Sequence, residues 1–287
     1  MAGILQLCAT PIGNLGDMSP RIIECLRDAD LIAAEDTRNS IKLLNHFDIH
    51  TPMTSYHEYN KVDKACALIA QIREGKNVAL ITDAGTPAIS DPGEVLVRMC
   101  IEEGINVTSL PGPCACITAL TLSGLDTRRF VFEGFLSREK KERNEVLTSL
   151  KDETRTVILY EAPHHLKGTL SDLSQSLTFG PSRKIALCRE LTKKFEEVRH
   201  TTIGEAIAFY ETEEPRGEYV LVIEGADPRE LKALETAAWE KMTVAEHVKM
   251  YEDKGMDRKE AMKAAASDRG VSKRDIYSIL ERDEKKR

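Results

Sequence analysis

Four short apolar runs, each leading into a loop of small residues and then a helical pattern, restrict the first 125 residues more than any other feature. Leu5-Gln-Leu-Cys-Ala9 runs into residues 10–17. Ser19 and Pro20 then supply the cap and first position of a helix carrying Ile22, Ile23 and Leu26 on one face. Residues 30–35 read as a second strand and 39–47 as a second helix. Apolar side chains from Ala65 to Ile72 keep helical spacing up to Gly75. Residues 78–82 form a third strand that runs into Asp83-Ala-Gly-Thr-Pro87; a helix after Pro92 follows, with Val95, Leu96 and Met99 on its buried face. Residues 105–110 are the fourth strand, closed by Pro111-Gly-Pro113. Strands alternating with helices over short connections predict a mostly parallel sheet covered by helices.

The pattern changes near Gly124. Strands are expected at 129–135, 156–160, 185–190, 198–203 and 218–223, with helices at 138–151 and 164–173. No helix fits between 190 and 198, so antiparallel pairs and a mixed sheet are expected. From Ala226 onward strand signals vanish. Thr243-Val-Ala-Glu246 and Asp257-Arg-Lys-Glu260 have capping-box spacing, Gly255 and Gly270 suit helix ends, and Ser272 can cap a last helix. The expected organisation is α/β: an α/β domain over 1–125, a second over 126–225, and three short helices within 226–287. The helices fit a helix-turn-helix-like appendage and a small packing module equally well.

Charge narrows the partners. The 287 residues carry 40 Lys/Arg against 47 Asp/Glu, for a net charge of −7. Residues 241–287 hold 13 basic and 10 acidic residues, which leaves the body at −10 and the tail at +3. A solvated helical face explains so weak an excess by itself. The seven cysteines form no C-x-x-C pair and no Cys/His spacing, against both a disulfide scaffold and a zinc site. No apolar stretch approaches the roughly 20 residues of a membrane span, and the first residues lack a signal-peptide pattern. No membrane partner and a cytoplasmic location are therefore expected.

Ligands of open parallel sheets bind beyond the carboxyl ends of the strands. Three loops rich in small residues leave such ends: 10–17, 83–93 and 111–116. Residues 10–17 lack both G-x-G-x-x-G and Gly-Lys-Ser/Thr, contain no lysine and include Asp17, so a triphosphate site is not expected. Thr10-Pro-Ile-Gly-Asn-Leu-Gly-Asp17, Ala34-Glu-Asp-Thr-Arg38, Thr82-Asp-Ala-Gly-Thr-Pro-Ala-Ile-Ser-Asp-Pro-Gly93 and Pro111-Gly-Pro113 together resemble the ribosomal RNA branch of the tetrapyrrole methylase superfamily. Glu133-Gly-Phe-Leu136, Tyr160-Glu-Ala-Pro163, Arg189-Glu-Leu-Thr192 and Gly217-Glu-Tyr219 extend the resemblance across residues 4–225, in one order and spacing.

The resemblance implies two α/β domains of the class III methyltransferase type, with S-adenosyl-L-methionine folded in the cleft between them. It places Pro11 and Ile12 of the first loop against the cofactor, then Ala84, Gly85, Thr86 and Ile89 of the second. Thr86 stands where the superfamily usually has Asp, so the role of that carboxylate is absent or moved. Cys114 and Ala115 would touch the methionine end, with Cys114 tolerated there rather than reactive. Glu161 and Leu191 would close over the adenosine. No metal is implied.

The implied reaction is 2′-O-methylation of a cytidine, the one numbered 1402, in 16S rRNA of the 30S subunit. A homodimer and no DNA partner are implied with it. A ribose hydroxyl is a poor nucleophile and gains from a nearby base. Asp36 and His57 are the candidate catalytic residues, with Arg38 and Lys61 as substrate contacts. Helix capping explains Asp36 equally well, and solvation explains Lys61. Two other classes stay open: a methylase of small tetrapyrroles, and a non-catalytic RNA-binding module.

Overall fold

The alternation of the first 110 residues folds as a five-stranded parallel sheet. Its strands are β1 (Leu5–Cys8), β2 (Leu31–Ala34), β3 (Met53–Ser55), β4 (Val78–Ile81) and β5 (Val107–Leu110), in the order β3-β2-β4-β1-β5. The computed structural model describes residues 2–175 and 179–284. All four residues of β4 are buried, as a central strand covered on both faces requires. Helices α1 (Pro20–Asp28) and α2 (Thr37–His46) pack Ile22, Leu26 and Leu44 against Ile32 and Ile81. Helices α3 (Lys61–Arg73) and α4 (Gly93–Glu102) bury Leu68, Ile72 and Leu96 against Leu5, Val78 and Leu80. Each such side chain contributes about 1.5–3 kcal/mol through burial. The connections leaving the neighbouring strands β1 and β4 run in opposite directions, which opens a crevice beyond their carboxyl ends.

A second five-stranded sheet follows: β6 (Phe130–Phe135), β7 (Thr156–Glu161), β8 (Lys184–Arg189), β9 (Glu197–Thr202) and β10 (Tyr219–Ile223). Its order is β6-β7-β10-β8-β9, and only β6 with β7 is parallel. One face buries α6 (Lys140–Ser149), α7 (Pro163–Leu173) and α8 (Ile203–Thr212) through Leu147, Leu166, Leu170 and Ile203. The other face receives α5 (Ala115–Leu122), whose Cys116, Ala119 and Leu120 pack on Ile158, Ala186 and Val220. The helix that leaves the first sheet is thus part of the core of the second. Gly13 adds a close approach between the two: a Cβ there would lie 2.3 Å from Lys193 Cγ and 3.2 Å from the Leu191 carbonyl.

Met1–Gly225 form one compact unit and Ala226–Arg287 another. The latter contains α9 (Pro228–Glu240), α10 (Val244–Asp253), α11 (Arg258–Asp268) and α12 (Lys273–Glu284), around Val248, Met262, Ala265, Ile276 and Leu280. Residues 285–287 of the basic tail lie outside the described residues.

Several boundaries differ from the sequence expectation. Four helices, not three, follow Ala226, because Asp227 caps α9 through the Arg229 N–H and Pro228 takes its first position. β9 stops at Thr202, one residue early, because Thr202 and Glu205 form a reciprocal capping box that opens α8. β3 is only three residues long and was not anticipated.

Candidate functional site

The loops after β1, β4 and β5 meet loops of the second sheet around a cavity of ≈ 360 Å³, within the about 300–1,000 Å³ usual for small-molecule sites. Its floor is set by backbone. Thr10 and Gly85 form an isolated antiparallel bridge, and Gly85 takes φ +87°, a left-handed conformation that favours glycine. Thr10 Oγ1 donates to the Thr82 carbonyl at 3.1 Å, and Thr86 Oγ1 donates to the Pro113 carbonyl at 2.9 Å. The three loops are thereby tied together. Asp91 holds the next turn: its carboxylate accepts from the N–H groups of Ile89 (3.2 Å) and Gly93 (2.7 Å), where Ala88 and Ser90 both have positive φ.

Ile12, Ile89, Leu191 and Val220 give the cavity apolar surface, and Phe135 and Tyr160 close one side. Tyr160 packs edge-on against Phe132 and Phe135, with centroids 4.9 and 5.4 Å away, and its hydroxyl accepts the Cys116 N–H at 3.1 Å. Burial pushes that phenol well above its ordinary pKa. Polar lining is mainly acidic: among the described residues Glu35, Asp83, Asp91, Glu161, Glu190 and Glu218 face one cation, Lys193. Lys193 bonds Glu190 at 2.9 Å and Glu218 at 2.7 Å. Glu161 is buried and accepts from the Ala162 N–H and the Thr169 hydroxyl.

Glu35 and Asp83 form the remaining polar wall. Glu35 Oε2 accepts from Thr82 Oγ1 at 2.6 Å. Asp83 accepts the Asp36 N–H at 3.1 Å and the Asn39 amide at 3.3 Å. Burial, with the charges of Glu35 and Asp36, raises the Asp83 carboxyl above its ordinary value despite these donors.

Of the residues expected to bind cofactor, Ile12, Ala84, Gly85, Thr86, Ile89, Cys114, Ala115, Glu161 and Leu191 line this one cavity. Pro11 does not. Asp36, Arg38, His57 and Lys61 are also outside the lining. Asp36 caps α2 through the Arg38 N–H and takes the Arg38 guanidinium on both oxygens, at 3.0 and 2.7 Å. That pair lowers the Asp36 carboxyl to about 2, far from the neutral range in which a general base works best. The His57 ring lies 3.3 Å from the Asn60 amide through Nε2, and its Nδ1 is buried without a partner. Lys61 pairs with Glu58. Sequence reading placed only Glu161 and Leu191 on the second-sheet side of the cavity; Phe135, Glu190 and Glu218 lie in the segments that carry the resemblance but were given no role, and Lys193 lies just beyond one of them. Among the described residues no group of three or more His, Cys, Asp or Glu is placed to hold a metal ion.

The lining fits S-adenosylmethionine. A sulfonium and an ammonium suit carboxylate walls, a ribose diol suits carboxylate acceptors, and adenine suits the apolar surface at Ile12, Ile89 and Leu191.

Comparison with known proteins agrees. The sequence profile of the tetrapyrrole (corrin/porphyrin) methylases matches residues 5–207. Proteins named ribosomal RNA small subunit methyltransferase I are 46% identical over 96% of this chain and 97% of their own length in Synechocystis sp.. Those of Bacillus subtilis are 48% identical over 96% and 93%. Among solved structures, a diphthine synthase superposes with a TM-score of 0.60 at 13% identity, covering 78% of this chain and 90% of that one. The uroporphyrin-III-C-methyltransferase of Thermus thermophilus gives 0.55 at 19%, covering 77% and 94%. The chain belongs to the tetrapyrrole methylase family, in its ribosomal RNA small subunit methyltransferase I group, and is an S-adenosylmethionine-dependent methyltransferase.

Proposed function

We propose that the chain methylates the 2′-hydroxyl of a cytidine ribose in the 16S rRNA of the 30S subunit. The observation that carries this reading is the 46–48% identity to relatives of that name across 96% of the chain, helical tail included. A cytoplasmic homodimer is part of the proposal. So is a division of labour in which residues 1–125 and 126–225 close on the cofactor and 226–287 contact RNA.

Bound, S-adenosylmethionine supplies an electrophilic methyl group. Ile12, Ala84, Gly85, Thr86, Ile89, Cys114, Ala115, Glu161 and Leu191 are the residues we assign to holding it, since all nine line the cavity. Transfer to a hydroxyl releases a proton. Glu161 is occupied by its own donors, and Glu190 and Glu218 are bound to Lys193. Asp91 is taken up by the N–H groups of Ile89 and Gly93. Glu35 and Asp83 face the cavity outside any ion pair found among the described residues, and we assign the proton to Asp83, whose carboxyl burial raises above its ordinary value. Arg38, its side chain 88% exposed, can exchange Asp36 for an RNA phosphate at the rim. The acidic cavity would repel phosphate, so the RNA backbone stays outside while one ribose enters.

The test is incubation with labelled S-adenosylmethionine and, in parallel, 30S subunits or a precorrin-type tetrapyrrole. Nuclease digestion and mass spectrometry should find 2′-O-methylcytidine. Label in the tetrapyrrole, or on a base, rejects the proposal.

A further inference from the structure

Cys114 and Cys188 line the cavity, and Cys114 alone of the two has a second thiol close behind it. Cys116 lies buried behind Cys114 at 4% exposure, and their sulfurs are 3.4 Å apart. Cys114 occupies the cap position of α5. Free N–H groups and the helix dipole favour a thiolate there. The Cys114 thiol is accordingly lowered, chiefly by the hydrogen bond from Cys116 and further by the N–H groups of Ile117 and Cys116. An accessible thiolate backed by a sheltered thiol is the arrangement of a peroxide-sensitive pair.

Against the expectation that Cys114 is merely tolerated, we propose that Cys114 and Cys116 are an oxidation site, closed by peroxide to a disulfide that lowers affinity for S-adenosylmethionine. The proposal rests on the assignment of this cavity to the cofactor. Cys114 thiolate attacks one peroxide oxygen; an S–O bond forms, the O–O bond breaks, and the departing hydroxide is protonated to water. Cys116 sulfur then attacks Cys114 sulfur, the S–S bond forms, the S–O bond breaks, and hydroxide leaves with the Cys116 proton as a second water. Two thiols lose two electrons, and peroxide becomes two waters.

Closure draws the sulfurs together by roughly 1.4 Å. That pull acts on the first turn of α5, where the Cys116 N–H holds the Tyr160 hydroxyl of the cavity wall. The Cys8–Cys25 pair serves as an internal control. Its sulfurs are also 3.4 Å apart, but both residues are buried in the first core, away from the cavity.

The experiment treats the full chain with hydrogen peroxide, blocks free thiols and maps disulfides by peptide mass spectrometry. Calorimetry measures S-adenosylmethionine binding before oxidation, after it, and after reduction. A Cys114–Cys116 link should form while Cys8 and Cys25 remain thiols. Affinity should fall by about tenfold or more, a loss of about 1.4 kcal/mol, and return on reduction. Bound cofactor should slow the oxidation. Cys116→Ser should bind cofactor when reduced, give no link, and accumulate a sulfenic acid at Cys114 that dimedone traps. If the reduced chain binds cofactor but no link forms, or the link leaves affinity unchanged, the dithiol proposal falls alone. If the reduced chain does not bind the cofactor, the cofactor assignment falls and the proposal with it.

Discussion

Thr10 and Gly85 exchange backbone hydrogen bonds in both directions, N–H to carbonyl, at 2.8 and 3.0 Å. The bridge joins the loops that leave β1 and β4, and it fixes Gly85 at a positive φ against the cavity. A Cβ at Gly85 would meet Ile12 Cγ2 at 3.4 Å and the Pro113 carbonyl at 3.7 Å, which is ordinary contact. Backbone strain of about 1–2 kcal/mol is then the main cost to folding. Gly85→Leu should therefore stay folded by circular dichroism yet lose S-adenosylmethionine binding in calorimetry, since the added side chain starts beside Ile12 in the cavity lining. Unchanged affinity in the folded variant would falsify the assignment of this loop.

Asp83→Asn separates stability from turnover. The Asp83 carboxyl is raised by burial and by neighbouring carboxylates, so its stabilising contribution is complete below the ordinary value of 3.8 and is lost as pH rises through the folded value. At pH 7 the substitution should leave the melting temperature unchanged or higher. It should lower kcat on 30S subunits by about 10²-fold or more and flatten the acid limb of the pH profile. Full kcat would return the base to another group.

Arg38→Lys and Asp36→Asn probe the rim. Asp36 is depressed to about 2 by Arg38, so the pair contributes at any pH above about 4 and is lost as pH falls through the folded value. Asparagine still caps a helix, and melting at pH 7 should change little. Arg38→Lys forfeits two-point phosphate contact and should weaken 30S binding, with a shallower salt dependence and unaltered cofactor affinity. Parental binding by filter assay at two salt concentrations would leave Arg38 with a structural role only.

Removing residues 226–287 should leave cofactor binding intact, because every residue lining the cavity lies between Ile12 and Val220. If the helices contact rRNA, 30S binding should weaken and lose part of its salt sensitivity. Loss of cofactor binding would mean instead that the helices are needed for the body to fold.

The helical unit carries its own pH response. His247 is fully buried, stacks on Trp239 at 5.1 Å and accepts the Arg269 Nε–H through Nδ1 at 3.0 Å. Burial and the Arg269 charge hold its pKa below the ordinary 6.5, despite Asp268 nearby. Its contribution to stability is present above that value and is lost as pH falls. Trp239 is the single tryptophan of the chain, so its fluorescence reads this unit alone. Its thermal transition should move lower between about pH 7.5 and pH 5.5; His247→Gln should flatten the shift, and a pH-independent transition in the parent chain would refute the assignment.

Four strands of the first sheet and the helices α1 to α4 were legible because each is written locally, in apolar runs, caps and glycine stops. Their order was not, since β1 lies between β4 and β5 through contacts distant in sequence. β3 escaped because three half-buried residues make no periodic pattern. Ile203 was read as the end of a strand, although Thr202 and Glu205 already had the spacing of a helix start. Nine of the ten expected cofactor residues converge on one cavity through resemblance to a known family. The far wall at Phe135, Lys193 and Glu218 depends on how the second sheet faces the first, and no short segment encodes that.

The six-to-one excess of carboxylates over lysine in the cavity also bears on how a turnover ends. Methyl transfer turns the sulfonium into a neutral thioether and removes one positive charge from the bound nucleoside. Attraction to the acidic wall weakens at that moment, so the spent product is held less firmly than the fresh donor and gives way to it. Binding of both nucleosides measured from low to high salt should show their affinities converging as the wall is screened.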